Sequence, residues 1–285
     1  MSIELRSVSY TYAPGTSLAV DALTDFSLKI EDGEFVGIMG RTGCGKSSLI
    51  QLIAGLMTPT KGQVLLNGED INARGYDRDT LRRMVGVVFQ YPEVQLFETT
   101  VEKDVAFGLR HLGWPKEMER AAVVEALKMV GFDYEKVRDQ SPLGFSGGEK
   151  RRLAIAGVLA VRPQVLILDE PVAGLDPLGR AAFLEMIDGL NAGGVTVLMI
   201  SHNADALAEH AGRIVVLRDG RLFREGRTAE VFADYDDLTA NGIGVGHVRH
   251  TAELLRRRGG ALPPDTVRYE QLISALKRQY GRSRP

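Results

Sequence analysis

Glu34-Phe35-Val36-Gly37-Ile38-Met39, running directly into Gly40-Arg41-Thr42-Gly43-Cys44-Gly45-Lys46-Ser47-Ser48, is the segment from which the remainder of the chain can be interpreted. The apolar run has the length of a buried strand. Gly40 to Ser47 fits G-x-x-x-x-G-K-S, the spacing of a phosphate loop. Closely spaced glycines let successive backbone N–H groups turn inward around phosphate oxygens, and a helix N-terminus adds its positive end. That helix is expected from Lys46 to Ala54, with Leu49, Ile50, Leu52 and Ile53 on an apolar face and Gly55 closing it. Lys46 supplies a point charge for the outer phosphates, and the Ser47 hydroxyl can ligate Mg²⁺. The segment predicts nucleotide binding.

On either side the pattern is that of an α/β fold. Ile3 to Tyr10 alternates with a slip between Leu5 and Val8, and Phe26 to Ile30 alternates cleanly. Val64 to Leu66 and Val85 to Phe89 are further strand candidates, and about 91–162 reads as a helical insertion with turns at Trp114-Pro115 and Gly131. Short buried strands then alternate with helices: Val165 to Leu168, Val195 to Ile200 and Ile214 to Leu217. Near-continuous apolar strands of this kind predict a mainly parallel sheet covered on both faces. Glycine-rich Asn241 to Gly246 links this core to two helices, Thr251 to Arg258 and Tyr269 to Arg278. The expected organisation is a catalytic domain over 1–230 and a C-terminal extension over 231–285.

Composition narrows the class. The 285 residues are 44% hydrophobic and 25% charged, ordinary globular values. Cys44 is the only cysteine, which excludes an intrachain disulfide or a cysteine zinc cluster and suits a reducing cytosol. Met1-Ser2-Ile3-Glu4-Leu5-Arg6 lacks an export-signal pattern. The longest apolar run, Ala154 to Val161, is far short of the roughly 20 residues of a membrane helix, so any membrane role is expected to be peripheral. A net charge of −2 exerts no general pull toward nucleic acid. Arg249 to Pro285 is nevertheless basic, which fits either a solvated helical appendage or a surface for an acidic partner or anionic lipid.

Val165-Leu166-Ile167-Leu168 ends in Asp169-Glu170. A buried strand that delivers an aspartate beside a phosphate loop meets the needs of a Mg²⁺ site, and the next carboxylate is placed to polarise an attacking water. By itself the pair would also suit a strand emerging into a polar loop. Phe145-Ser146-Gly147-Gly148-Glu149 lies upstream, with Ser146 23 residues before Asp169. Ser146-x-x-Glu149 reads as a capping box heading a helix to about Val161, whose bare N–H groups could face an anion.

At this point the sequence resembles the ATP-binding subunit of an ABC transporter. The resemblance implies a phosphate-loop ATPase core with a mainly parallel sheet, an antiparallel β subdomain, a helical subdomain and a small C-terminal helical extension. Phe145 to Glu149 matches the family signature, which binds ATP held by the other subunit of a dimer, so that Ser146, Gly147, Gly148 and Glu149 would act in trans. Tyr12 matches the aromatic residue that stacks on adenine, although a strand tyrosine also serves packing. Gln90 matches the glutamine that reaches Mg²⁺ and the attacking water. Asp176, in Ala173-Gly174-Leu175-Asp176, matches the loop that crosses to the partner. His202 matches the histidine on the γ-phosphate, and Ser201-His202 follows a strand at the edge where open α/β sheets bind ligands. The implied catalytic set is Glu170, His202, Gln90 and Lys46, with Ser47, Gln90 and Asp169 at the metal.

Residues 89–108 resemble the corresponding segment of energy-coupling factor ATPases, and the basic extension resembles their C-terminal domain. Gln95-Leu96-Phe97-Glu98-Thr99-Thr100 and Ile155 to Ala160 resemble the A-prime-type subunit of an unequal ATPase pair. The resemblance implies an ATPase at the cytoplasmic face of the membrane, powering import of vitamins or transition-metal ions. Its partners would be a second ATPase subunit (identical or paralogous), an integral membrane coupling protein and a substrate-capture subunit, with no nucleic acid. The acidic residues of 91–108, Glu93, Glu98, Glu102 and Asp104, suit an Arg-bearing coupling helix. A soluble ABC ATPase of DNA repair or translation and a non-hydrolysing nucleotide-dependent regulator are the alternatives. Two departures stand out: Glu149 replaces the usual glutamine, and Val172 the common threonine. Cys44, beside Lys46 and a helix N-terminus, is expected to have a stabilised, reactive thiolate wherever solvent reaches it.

Overall fold

In the computed structural model, which describes residues 2–280, β1 (Ile3–Tyr12) pairs with β2 (Val20–Ile30), and β3 (Phe35–Gly40) runs into α1 (Lys46–Ile53). Next come β4 (Lys61–Leu66), β5 (Glu69–Asp70), α2 (Arg78–Met84) and β6 (Val85–Val88). The helical insertion holds α3 (Val101–Val105), α4 (Phe107–His111), α5 (Lys116–Met129), α6 (Tyr134–Val137) and α7 (Gly147–Leu159). After it β7 (Val165–Asp169), α8 (Pro177–Ala192), β8 (Thr196–Ile200), α9 (Ala204–His210), β9 (Arg213–Arg218) and β10 (Arg221–Arg227) complete the core. The chain continues through α10 (Thr228–Ala233), α11 (Tyr235–Ala240), α12 (His247–Arg257) and α13 (Tyr269–Tyr280).

Two sheets result. The central one has the order β10-β9-β3-β8-β7-β6 and is parallel except for β10; the other, β2-β1-β4-β5, is antiparallel. Alternation along the central strands sorts their side chains between two cores. Leu166 and Leu168, Val197 and Met199, Ile214 and Val216 face the helical layer. Val165 and Ile167, Leu198 and Ile200, Val215 and Leu217 face α1 and the antiparallel sheet. Both faces are therefore dry, which explains the near-continuous apolar runs. The slip in β1 is a bulge: the register shifts between Leu5 and Val8, and Ser7 adopts φ 45°.

The C-terminal region divides by its packing. Val231, Phe232, Leu238, Ile243 and Val245 join the core beside the central sheet, whereas Ala252, Leu262, Leu272 and Ala275 form a separate small cluster around α12 and α13. Helix α12 starts at His247, four residues earlier than the sequence pattern indicates. The cause is a tertiary cap: Asp205 of α9 accepts from the N–H groups of His247 (2.9 Å) and Val248 (3.1 Å). Much of the basic charge is consumed internally. Glu253 meets Arg249, Arg256 and Arg257, and Arg249 is 1% exposed with Nε donating to the Phe232 carbonyl at 2.9 Å. Arg282 and Arg284 lie outside the described residues.

Candidate nucleotide-hydrolysis site

The loop after β3 is built around positions that cannot carry an ordinary side chain. A Cβ on Gly40 would lie 2.5 Å from the Leu217 carbonyl oxygen, and one on Gly45, at φ 104°, would lie 2.4 Å from the Ala22 carbonyl oxygen. Gly45 heads α1 without a side-chain cap, which leaves the first N–H groups of the helix for an anion. Lys46 is 8% exposed and donates from Nζ to the carbonyls of Gly40 (2.7 Å) and Arg41 (3.0 Å). It braces the loop while presenting its charge at the loop's centre.

Sheet register assembles the opposite wall. Ile38 of β3 and Asp169 of β7 both stand opposite Ile200 of β8, so β7 and β8 end level and β3 runs two residues further to Gly40. Glu170 lies in the left-handed region at φ 49°, and its N–H donates to the Ile200 carbonyl at 3.0 Å. The Glu170 carboxylate accepts from the His202 N–H at 2.8 Å, with the imidazole Nε2 3.5 Å away. Ser201, named in the sequence only for its place at the sheet edge, donates from Oγ to the same carboxylate at 3.4 Å. Burial pushes Glu170 above the usual carboxylate range against the opposing pull of His202, with Asp169 adding to the rise. Burial likewise raises Asp169, opposed by Lys46 and His202. A raised carboxyl held by two neighbours suits proton abstraction from water.

Tyr12, Lys46, Ser47, Gln90, Asp169, Glu170 and His202 all line one groove of about 460 Å³, joined by Thr42, Gly43, Gly45 and Ser48 of the loop. This volume is appropriate for a small-molecule ligand. Tyr12 sits at its mouth, 37% exposed, with its hydroxyl 3.0 Å from Ser48 Oγ and its ring edge-on to Tyr10. Val20, Asp21 and Ala22 also line this groove; only their fold proximity to Gly45 reveals them. Arg41 faces away, lining a neighbouring pocket against Gly242.

Ser146, Gly147, Gly148, Glu149 and Asp176 do not line the groove. The capping box forms: Glu149 accepts from the Ser146 N–H at 2.9 Å and the Ser146 hydroxyl at 2.7 Å. These bonds hold Glu149 below its usual range, the Ser146 hydroxyl first among them, and fold the carboxylate back onto its own helix cap. Asp176 caps α8, accepting from the Gly179 N–H at 2.8 Å. Val172 is buried in the helical-layer core.

The expectation for Cys44 is overturned. Its side chain is 6% exposed and points into the core beneath the loop, with Sγ 2.5 Å from where a Gly40 Cβ would be. Burial raises the thiol, outweighing the influence of Lys46, so the thiolate is disfavoured. Within the loop the Cys44 sulfur faces inward and accepts from Lys46 Nζ at 3.9 Å.

The segment after Gln90 presents an exposed apolar surface: Tyr91, Val94, Phe97 and Phe107, with the last two rings edge-on at 4.9 Å. Its acidic residues are not equivalent. Glu102 accepts from the Tyr134 hydroxyl at 2.6 Å, and Asp104 accepts from the N–H groups of Phe97 and Glu98. Among the described residues neither Glu93 nor Glu98 has a side-chain hydrogen bond or ion pair; Oε2 of Glu93 is buried, which makes Glu98 the more open to an outside partner.

Known proteins resemble this chain in sequence and in fold. The ABC transporter family model matches residues 23–173. The chain is 47% identical over 277 residues to the energy-coupling factor transporter ATP-binding protein EcfA2 of Symbiobacterium thermophilum, covering 97% of this chain and 96% of that one. It is 42% identical to the protein of the same name from Clostridium perfringens, with 97% of each covered. Among solved structures, cbiO1 from Clostridium perfringens, part of the ABC transporter complex cbiONQ, superposes with TM-score 0.72 at 33% identity, covering 89% of this chain and 98% of that one. A dimeric post-hydrolysis state of the ATP-binding cassette MJ0796, bound to ADP and Pi, gives TM-score 0.70 at 31% identity, covering 79% and 98%.

Proposed function

The chain belongs to the ABC transporter family, as an ATP-binding subunit of the energy-coupling factor type, and on that premise we propose that it drives import of a vitamin or a transition-metal ion. In this reading it docks peripherally on an integral membrane coupling protein, at the cytoplasmic face, and works with a substrate-capture subunit and a second ATPase subunit. No helix among the described residues is long and apolar enough to cross a membrane. The observation that carries the catalytic part is the register of β3, β7 and β8, which supports placing Lys46, Asp169, Glu170 and His202 around one groove.

Each residue's role follows from its chemistry. The loop N–H groups and Lys46 hold the phosphates, and Tyr12 stacks on the base. Glu170 accepts the proton of the attacking water; His202, bonded to Glu170 through its N–H, reaches the γ-phosphate. The Ser47 hydroxyl, the Gln90 amide oxygen and the Asp169 carboxylate are hard oxygen donors and suit Mg²⁺. Among the described residues no cluster of three His, Cys, Asp or Glu forms a metal cage. Few protein ligands are expected for an ion shared with a nucleotide, where it neutralises phosphate charge.

Because Ser146 to Glu149 and Asp176 sit outside the groove, they are free to complete the partner's site in a two-subunit sandwich. The exposed aromatic surface and Glu98 suit a coupling helix bearing arginine. The test is co-expression with the candidate membrane coupling protein, detergent extraction and measurement of phosphate release. A stable complex whose ATPase drives uptake is expected. Hydrolysis by a chain that never associates with a membrane protein would refute the transport role and favour a soluble ABC ATPase. Nucleotide binding without phosphate release would favour a regulator.

A further inference from the structure

Arg151 lies in the second turn of α7, five residues after Ser146, and its side chain is buried, with 4% of the residue exposed. No carboxylate among the described residues forms an ion pair with it. Instead its fork closes on main chain: Nη2 donates to the Glu170 carbonyl at 3.1 Å and Nη1 donates to the Ala173 carbonyl. These two carbonyls bound the turn that carries Glu170, whose left-handed backbone an L-residue adopts reluctantly. The cavity beside the guanidinium is mostly apolar, with Ile155, Leu175 and Phe183; its other cation, Arg152, lies over the Phe132 ring. Glu93, on the segment after Gln90, lies near enough to favour the charged form against the cost of burial.

We propose that Arg151 is a positioning residue for hydrolysis, fixing the main chain of Glu170 from the helix that Ser146 caps. A cation that bridges these elements makes the orientation of the base depend on the placement of α7. Movement of the signature helix would thereby be felt at Glu170 without any contact between Arg151 and the nucleotide. The guanidinium is suited to this because its planar fork holds two carbonyls at once, which an ammonium cannot do with the same geometry. The proposal rests on Glu170 being the base.

The experiment compares Arg151→Gln and Arg151→Lys, each alone and combined with Glu170→Gln, in the assembled ATPase. Turnover, equilibrium ATP affinity and melting temperature are measured for each. Arg151→Gln is expected to lower kcat at least tenfold while ATP affinity stays within twofold, and Arg151→Lys to recover part of the loss. In the Glu170→Gln background, substituting Arg151 should cause no further loss, since residues acting as a unit are not additive. Wild-type kcat in folded Arg151→Gln, or the same fold loss in both backgrounds, overturns the proposal alone. If Arg151→Gln does not fold, Arg151→Lys decides: wild-type kcat overturns the proposal, and a kcat loss confined to the Glu170 background supports it. Full turnover in Glu170→Gln by itself overturns the base assignment and the proposal together.

Discussion

Alkylation of Cys44 provides a sharp test of how the phosphate loop is built. The thiol is 6% exposed and packs under Gly40 among the side chains that face α1. A maleimide cannot reach Sγ unless the loop lifts from this core or the domain unfolds. If exposure requires an opening of about 5 kcal/mol, the lower end of domain stability, the reactive population is below about one part in 10³, at about 1.4 kcal/mol per tenfold. Burial also disfavours the thiolate, which slows the reaction further. ATP at a hundredfold excess over its Kd adds about 2.7 kcal/mol to the native state and about another hundredfold of protection. The assay is intact-mass measurement of labelling against time, in buffer and in denaturing urea, with melting curves on the labelled fraction. Labelling of the native protein should be at least about a thousandfold slower than of the unfolded chain. Rapid labelling in buffer, with the melting transition and ATP binding unchanged, would refute the reasoning and place Sγ on the solvent side of the loop.

Other consequences are as direct. Glu170→Gln should retain ATP binding and lose about 10²–10⁴-fold in turnover, the usual weight of base catalysis, measured by phosphate release. Gly45→Ala should lose nucleotide binding and melt lower, since its backbone sits at φ 104° and its Cβ would meet the Ala22 carbonyl at 2.4 Å; strain of about 2 kcal/mol corresponds to about 4–8 °C. Phe97→Asp combined with Glu98→Lys should reduce co-purification with the membrane partner and leave ATP affinity unchanged; equal recovery of the complex would remove this surface from docking. Asp205→Ala should loosen α12 by about 1 kcal/mol, seen as faster hydrogen exchange over 247–257. Burial alone would raise Asp205, yet the bonds from His247 and Val248 leave it below its usual range. Its contribution is therefore present above the ordinary carboxylate pKa of about 4 and is lost as pH falls through the lower folded value.

The local motifs of this protein were legible from the amino-acid order because each depends on neighbours within a few positions. The phosphate loop needs glycines at set offsets before Lys46, the acidic strand end needs only an apolar run before Asp169, and the α7 cap needs Ser146 and Glu149 three apart. Even the slip in β1 was visible, as a break in alternation that became the bulge at Ser7. Other features depend on which strands lie side by side, and that is a property of the folded sheet. Cys44 and Lys46 are two residues apart, yet one side chain goes into the core and the other to the loop's centre, because Gly40 leaves room beneath it for sulfur. Arg151 meets carbonyls 19 and 22 residues away only because the fold lays α7 beside β6, within reach of the turn that follows β7. The arginines of α12 resemble a free basic face in sequence; their pairing with Glu253 is local, at i,i+3 and i,i+4, but only the fold buries Arg249 against the Phe232 carbonyl. Period, caps and turns are set by local sterics, whereas the partner of a long side chain is set by tertiary packing.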